Sequence, residues 1–235
     1  MLLTNTAEGG SNTTTVTVGN SGGGSGSAFD QVTIGTSSTV TFSSTQAVHG
    51  SLAYNFTSSG TSAASLVQWI ASVTAGTTWY ARIYVYLPAL PATTLRLVKF
   101  ADAAASPCAL FDVSSAGKIL ARDASSTTVT TSTLAVSAGA WFRLEMKVLA
   151  DASVGQTEVK IFKSQADNAS PDEVNTSVAT LNTRGTMGRL QWGPSLSIAN
   201  ANVFIDDLAL SDSGYVGASG TPPAAGNFTG WGIPT

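Results

Sequence analysis

The feature that most constrains this chain is an alternation of apolar and polar side chains with a period of two. Between Ala140 and Ala150, Phe142, Leu144, Met146 and Val148 alternate with Arg143, Glu145 and Lys147. That is the rhythm of a strand with one buried face. From Trp79 to Leu87, Ala81, Ile83, Val85 and Leu87 alternate with Tyr80, Arg82, Tyr84 and Tyr86. Shorter segments rich in β-branched and aromatic residues predict further strands near Thr13–Val18, Phe29–Ile34, Thr39–Phe42, Ser51–Phe56, Leu66–Val73, Leu95–Phe100, Ala109–Val113 and Ile119–Arg122. The series continues near Thr127–Thr133, Glu158–Lys163, Val174–Leu181, Arg189–Trp192 and Asn202–Leu210. Ser59-Gly60, Ala75-Gly76, Ala116-Gly117, Ala138-Gly139 and Val154-Gly155 supply turn chemistry between apolar runs. Helical periodicity is confined to one turn at most, in Asp167–Glu173. Short strands at even spacing predict a two-sheet sandwich or a closed barrel.

Composition narrows the functions open to such a fold. The 235 residues suit one large all-β domain or two small ones. Only 11% are charged, with eleven basic residues against fourteen acidic ones and no cluster of either sign. No electrostatic footprint for nucleic acid or for an acidic membrane surface results. Arg82 and Pro88 interrupt the best apolar window well short of the ~20 residues of a membrane span, so no membrane insertion is expected. A lone Cys108 excludes a disulfide framework and a cysteine-based zinc site. Met1-Leu2-Leu3-Thr4-Asn5 lacks the basic and apolar regions of a cleavable signal. The stretch from Gly19 to Ser27 has the composition of a linker but reads better as a wide ordered loop.

Four phrases in order carry a family resemblance: His49-Gly50-Ser51-Leu52-Ala53, Trp79-Tyr80-Ala81-Arg82-Ile83-Tyr84, Gly139-Ala140-Trp141-Phe142-Arg143-Leu144-Glu145 and Val203-Phe204-Ile205-Asp206-Asp207-Leu208-Ala209-Leu210. Together they resemble the concanavalin A-like lectin/glucanase jelly roll in its laminin-G-like variety. The resemblance implies an all-β, two-sheet antiparallel jelly-roll sandwich with a short N-terminal arm and a C-terminal tail. The boundaries expected are an arm with its Gly/Ser-rich loop over 1–28, joined to the domain, a jelly roll over 29–217 and a tail over 218–235. The opening Asn5-Thr6-Ala7-Glu8-Gly9-Gly10 and the closing Gly230-Trp231-Gly232-Ile233-Pro234-Thr235 resemble minor tail and other virion proteins of actinobacterial phages. On that resemblance the chain is expected to be a non-enzymatic module on the exterior of a phage particle. It would be a minor tail or head decoration protein, a homo-oligomer among other virion proteins, with adhesion to cell-surface glycan. The alternatives are a carbohydrate-active enzyme (glucanase or polysaccharide lyase) and a free carbohydrate-binding module.

The residues themselves offer four constellations. Tyr80, Arg82, Tyr84 and Tyr86 share the face opposite the apolar stripe of their strand. Aromatic faces against sugar C–H surfaces, with a planar guanidinium for the hydroxyls, suit carbohydrate, each aromatic contact contributing ~0.5–1.5 kcal/mol. The bland alternative is a covered sheet with Arg82 paired across strands to Glu145. Asp206-Asp207 interrupts an apolar strand, and a buried acid needs a cation or backbone donors. The jelly-roll resemblance suggests a structural calcium on Asp207, with Asp30 as a second carboxylate, although no cofactor is required. His49, the one histidine, shows no partner in its vicinity along the chain, and the paired-carboxylate strand of a glucanase is absent. A polysaccharide lyase would need Tyr, His and Arg gathered on one sheet face. Tyr80, Arg82 and Tyr84 supply part of that group, but the sequence does not place His49 beside them, so catalysis is not expected. Trp69, Trp79, Trp141 and Trp192 read as core or sheet cover. In the tail, Phe228, Trp231 and Ile233 are expected to form an interface, since aromatic anchors dominate such contacts.

Overall fold

The computed structural model describes residues 1–59, 64–163, 166–196 and 200–219. Among them the chain forms fifteen strands. In the N-terminal half these are β1 (Leu2–Asn5), β2 (Gln31–Thr33), β3 (Ser38–Ser43), β4 (Ala53–Ser58), β5 (Leu66–Trp69), β6 (Thr78–Tyr86), β7 (Leu95–Ala101) and β8 (Pro107–Val113). They continue as β9 (Lys118–Arg122), β10 (Thr128–Ala135), β11 (Trp141–Leu149), β12 (Gln156–Phe162), β13 (Glu173–Thr176), β14 (Arg189–Trp192) and β15 (Asn202–Ser211). One sheet has the order β13-β12-β11-β6-β15-β4-β3, with β1 added to β15. The other runs β10-β9-β8-β7-β14-β5-β2. All named pairings are antiparallel, and the two layers form a sandwich, the first of the two architectures that the strand pattern predicts. No helix among the described residues is long and apolar enough to cross a membrane.

The core lies between the sheets. Trp69, Trp79, Trp192, Phe42, Phe56, Phe100, Phe111 and Phe142 are fully buried in it. Trp69 and Trp192 meet edge to face at 5.8 Å between ring centroids, one of the preferred aromatic geometries. From β6 it takes Ala81, Ile83 and Val85, and from β11 Phe142, Leu144, Met146 and Val148, as the alternation demands. The opposite face of the eight-stranded sheet therefore receives the polar half of each strand. Three of the four strand tryptophans are core; Trp141 instead lies half-buried on that outer face, its ring 5.7 Å from Tyr86.

Three local readings differ from the sequence expectation. Leu2–Asn5 carries no alternation, yet forms β1 because β15 offers it an open edge over Leu208–Ser211. Thr13–Val18 is not a strand. It docks on β3 through Thr13 N–H to Phe42 O and Val16 N–H to Val40 O, then enters one 3-10 turn at Val18–Asn20 capped by Thr17. Asp167–Glu173 holds no helical turn; 167–172 is turn and loop, and Glu173 opens β13. The Gly/Ser stretch is folded as expected: Asn5 Nδ2 donates to Ser21 O at 2.7 Å and to Ser27 O at 3.0 Å, cinching both ends of the loop.

Candidate active site on the outer sheet face

Register builds the site. Phe162, Arg143, Tyr84 and Asp206 face one another in a row across β12, β11, β6 and β15. One pleat further along, Lys160, Glu145 and Arg82 form a second row. Directly opposed residues on one face stand within side-chain reach, so the two rows make a lattice of three cations, two acids and two aromatic rings. Arg143 lies over the Phe162 ring with its guanidinium carbon 3.7 Å from the centroid. Arg143 Nε is 3.3 Å from Glu145 Oε1, an ion pair buried on both sides.

His49 arrives from a loop. Strand β15 pairs with β4 over Asn202–Ile205 and with β1 over Leu208–Ser211, and its register with β6 slips between Asp206 and Ala209. At this bulge Asp207 takes φ +47°, a left-handed conformation that Asp tolerates better than most residues. The bulge turns two acids toward the β3–β4 loop. Asp206 accepts from Val48 N–H at 3.1 Å, and Asp207 accepts from His49 Nδ1. From the other side Glu8 accepts from the Ser51 and Leu52 amides and the Ser51 hydroxyl at 2.7–2.9 Å. The loop is thereby clamped, and the His49 ring packs edge-on against Tyr84 at 5.3 Å.

A continuous hydrogen-bonded chain follows. His49 Nε2 lies 3.1 Å from Asp167 Oδ2, and the Tyr84 hydroxyl donates to Asp167 Oδ1 at 2.7 Å. Arg143 Nη1 donates to the Tyr84 oxygen at 3.3 Å, and so does the Ser219 amide at 2.9 Å. Burial opposes the charge on His49, but the bonds to Asp207 and Asp167 outweigh it and raise its pKa. Burial also holds the Tyr84 phenol above its ordinary value, with Asp167 adding to the rise and Arg143 opposing it. Asp206 is pushed up to about 8 by burial and then by the neighbouring Asp207 charge, against the amides it accepts from. Two cavities open here. One of about 290 Å³ is lined by His49, Asp207, Glu8 and Ser219, the other of about 240 Å³ by Arg143, Glu145, Lys160 and Asp167.

The structure thus brings Tyr84 and Arg82 together with His49 and Arg143. Arg82 stands opposite Glu145 in register, but its Nε donates to Asp207 O at 3.0 Å and its Nη1 to Gly217 O at 2.9 Å. Tyr80 packs on Tyr215, and Tyr86 lies between Trp141 and Phe204. Asp30 and Asp207 are not brought together. Asp30 caps the end of β5, accepting from the Ile70 and Ser72 amides and the Ser72 hydroxyl. No group of three His, Cys, Asp or Glu side chains among the described residues is arranged to hold a metal. Phe228, Trp231 and Ile233 lie outside the described residues. Asp167, Arg143 and Glu8 were missed as site residues, because each reaches its partner in the site only across a long stretch of chain.

No family model matches this sequence, and no curated protein matches it. Solved structures do. The endo-β-1,4-glucuronan lyase of the fungus Trichoderma reesei superposes with a TM-score of 0.60 at 14% identity, over 78% of this chain and 90% of that one. The marine PL-14 alginate lyase of Aplysia kurodai gives 0.59 at 10% identity, over 88% and 97%. The cellulose-induced protein Cip1 gives 0.51 at 15%, over 77% and 88%. At such identities the likeness is one of fold. This chain is a β-sandwich of the jelly-roll kind.

The expectation of a non-enzyme is corrected by these findings. Two of these structures are enzymes aligned over nearly their whole length. The ground for setting catalysis aside also falls, since the β15 bulge carries His49 to Tyr84. The virion reading finds no support among these structures.

Proposed function

We propose that this protein is a polysaccharide lyase acting on a uronate-containing chain at the outer face of its eight-stranded sheet. One observation carries the reading: an imidazole, a phenol and a buried guanidinium converge within one hydrogen-bonded cluster, His49, Tyr84 and Arg143. Elimination at a uronate needs a cation for the carboxylate, a base for the proton beside it and an acid for the departing oxygen. Arg143 neutralises the carboxylate. Neutral His49, oriented through Nδ1 by Asp207, takes the C5 proton at Nε2 once substrate displaces the half-exposed Asp167 carboxylate. The C5–H electron pair becomes the C4–C5 double bond, the C4–O bond breaks, and the Tyr84 hydroxyl gives its proton to the leaving oxygen. The fold shared with a glucuronan lyase and an alginate lyase supports this reading.

The test is ultraviolet detection of unsaturated ends from glucuronan and alginate. Tyr84→Phe and His49→Gln are each expected to lower turnover at least ~100-fold, the usual scale of one acid or base, with the melting temperature retained. Turnover by the unmodified protein should rise with pH through the elevated His49 pKa, because the base is the neutral ring. Unchanged product formation by both variants would overturn the assignment.

A further inference from the structure

Tyr84 lies on the outer face of a sheet and yet is fully buried. Part of its cover is the His49 ring, and part is the chain that follows β15. Tyr215 rests edge-on against Tyr80 at 5.0 Å, donates to Glu158 at 2.6 Å and lies beneath the Lys160 ammonium at 3.5 Å from its ring centroid. The Gly217 carbonyl takes the Arg82 guanidinium and the Ser219 amide bonds the Tyr84 hydroxyl; burial raises the Glu145 pKa, and the Arg143 charge and the nearby Gly217 amide are among the groups that oppose the rise. Gly217 and Ala218 wall the cavity containing Arg143 and Lys160, while Ser219 walls the one containing His49.

We propose that Gly214–Ser219 is a displaceable strap lying in the polysaccharide groove, which a saccharide chain must lift to reach Tyr84. This inference rests on the lyase reading. The strap joins no strand ladder, and Gly217 makes its turn at φ +78°. Among the described residues, no neighbouring atom comes within 4 Å of a Cβ built on Gly214 or on Gly217. Its underside also differs from that of a core element. Leaving an apolar core costs hydrophobic burial, but beside Tyr80 and Tyr84 this segment lies on Lys160, Arg82, Glu145 and Glu158, which regain water when it lifts. The Gly217 carbonyl on Arg82 occupies the place that an acidic sugar oxygen would take, so an anionic ligand competes with the strap for the same cation.

Amide exchange of the full chain near its melting baseline tests the strap without a ligand. The Gly217 and Ser219 amides are expected to exchange at least ~100-fold faster than the Leu144 amide of β11, through local opening. Exchange of all three together, by global unfolding only, would overturn the inference. Binding of a glucuronate oligosaccharide gives the second arm. Tyr215→Ala, which removes the strap's anchor, is expected to tighten binding about tenfold. Equal binding with Gly217 still protected in the complex sinks the strap and leaves the lyase reading intact. Local opening with no binding to either protein sinks the lyase reading and leaves the strap. Should Tyr215→Ala fail to fold, exchange in the unmodified chain decides.

Discussion

Asp206 and Asp207 are neighbours in the chain with different tasks. Asp207 orients the imidazole, whereas Asp206 accepts from backbone amides and pins the loop that carries it. The apolar strand around them showed that these acids must have partners; which partners they have depended on a bulge that alternation does not encode. Both His49 and Asp206 have folded-state pKa values above their ordinary ones. A raised folded pKa contributes stability that is complete below the unfolded pKa and lost as pH climbs through the folded one. For Asp206 that window runs from about 3.8 to about 8. The melting temperature is therefore expected to fall across it, in a differential scanning calorimetry series, and to fall less in Asp206→Asn. Asp207→Asn removes a charge beside His49. Its imidazole, followed by proton NMR, is expected to titrate at lower pH than in the unmodified protein.

At the scale of elements, the sequence predicted most of the central strands because their alternation is long: β6 and β11 were found within a residue or two of their ends. β1 was not, since four residues without a period gain their order only from the β15 edge. Asp167 was equally hidden, a loop residue 118 positions from the histidine it meets. The sandwich also has a clasp between its layers. Glu173 at the head of β13 accepts from the Thr133 and Leu134 amides of β10, joining a rim strand of one sheet to a rim strand of the other. Burial opposes its charge, but those amides, with the Asn175 side chain, together outweigh it and hold its carboxyl below the usual range. Its stabilisation is thus present above the ordinary glutamate pKa and lost as pH falls through the depressed one. Glu173→Ala is expected to destabilise by about 1 kcal/mol in urea titration, a figure limited by solvent access to the bonds.

The whole molecule stands on the aromatic core between the sheets. Trp192 is fully buried against Trp69, and its indole N–H has no hydrogen-bond partner among the described residues. Trp192→Ala should therefore cost about 3–5 kcal/mol by chemical denaturation, the scale of a large cavity. Trp192→Phe should cost clearly less, because it keeps most of the ring volume and removes an unpaired donor. Such a scaffold leaves chemistry to what is mounted on its face. Here the guanidinium and phenol groups sit on strands fixed by ladders on both sides, whereas the imidazole hangs from the connection between β3 and β4.

That division of labour follows from β15 changing partners halfway along one edge, from β4 to β1. A gap in the weave of this kind accepts additions. Residues 45–47 lie between the end of β3 and the first clamp at Val48, outside every strand ladder, so a change of length there leaves both sheets paired. On the lyase reading proposed above, that loop is the part of the site free to vary in length on a frame that stays put.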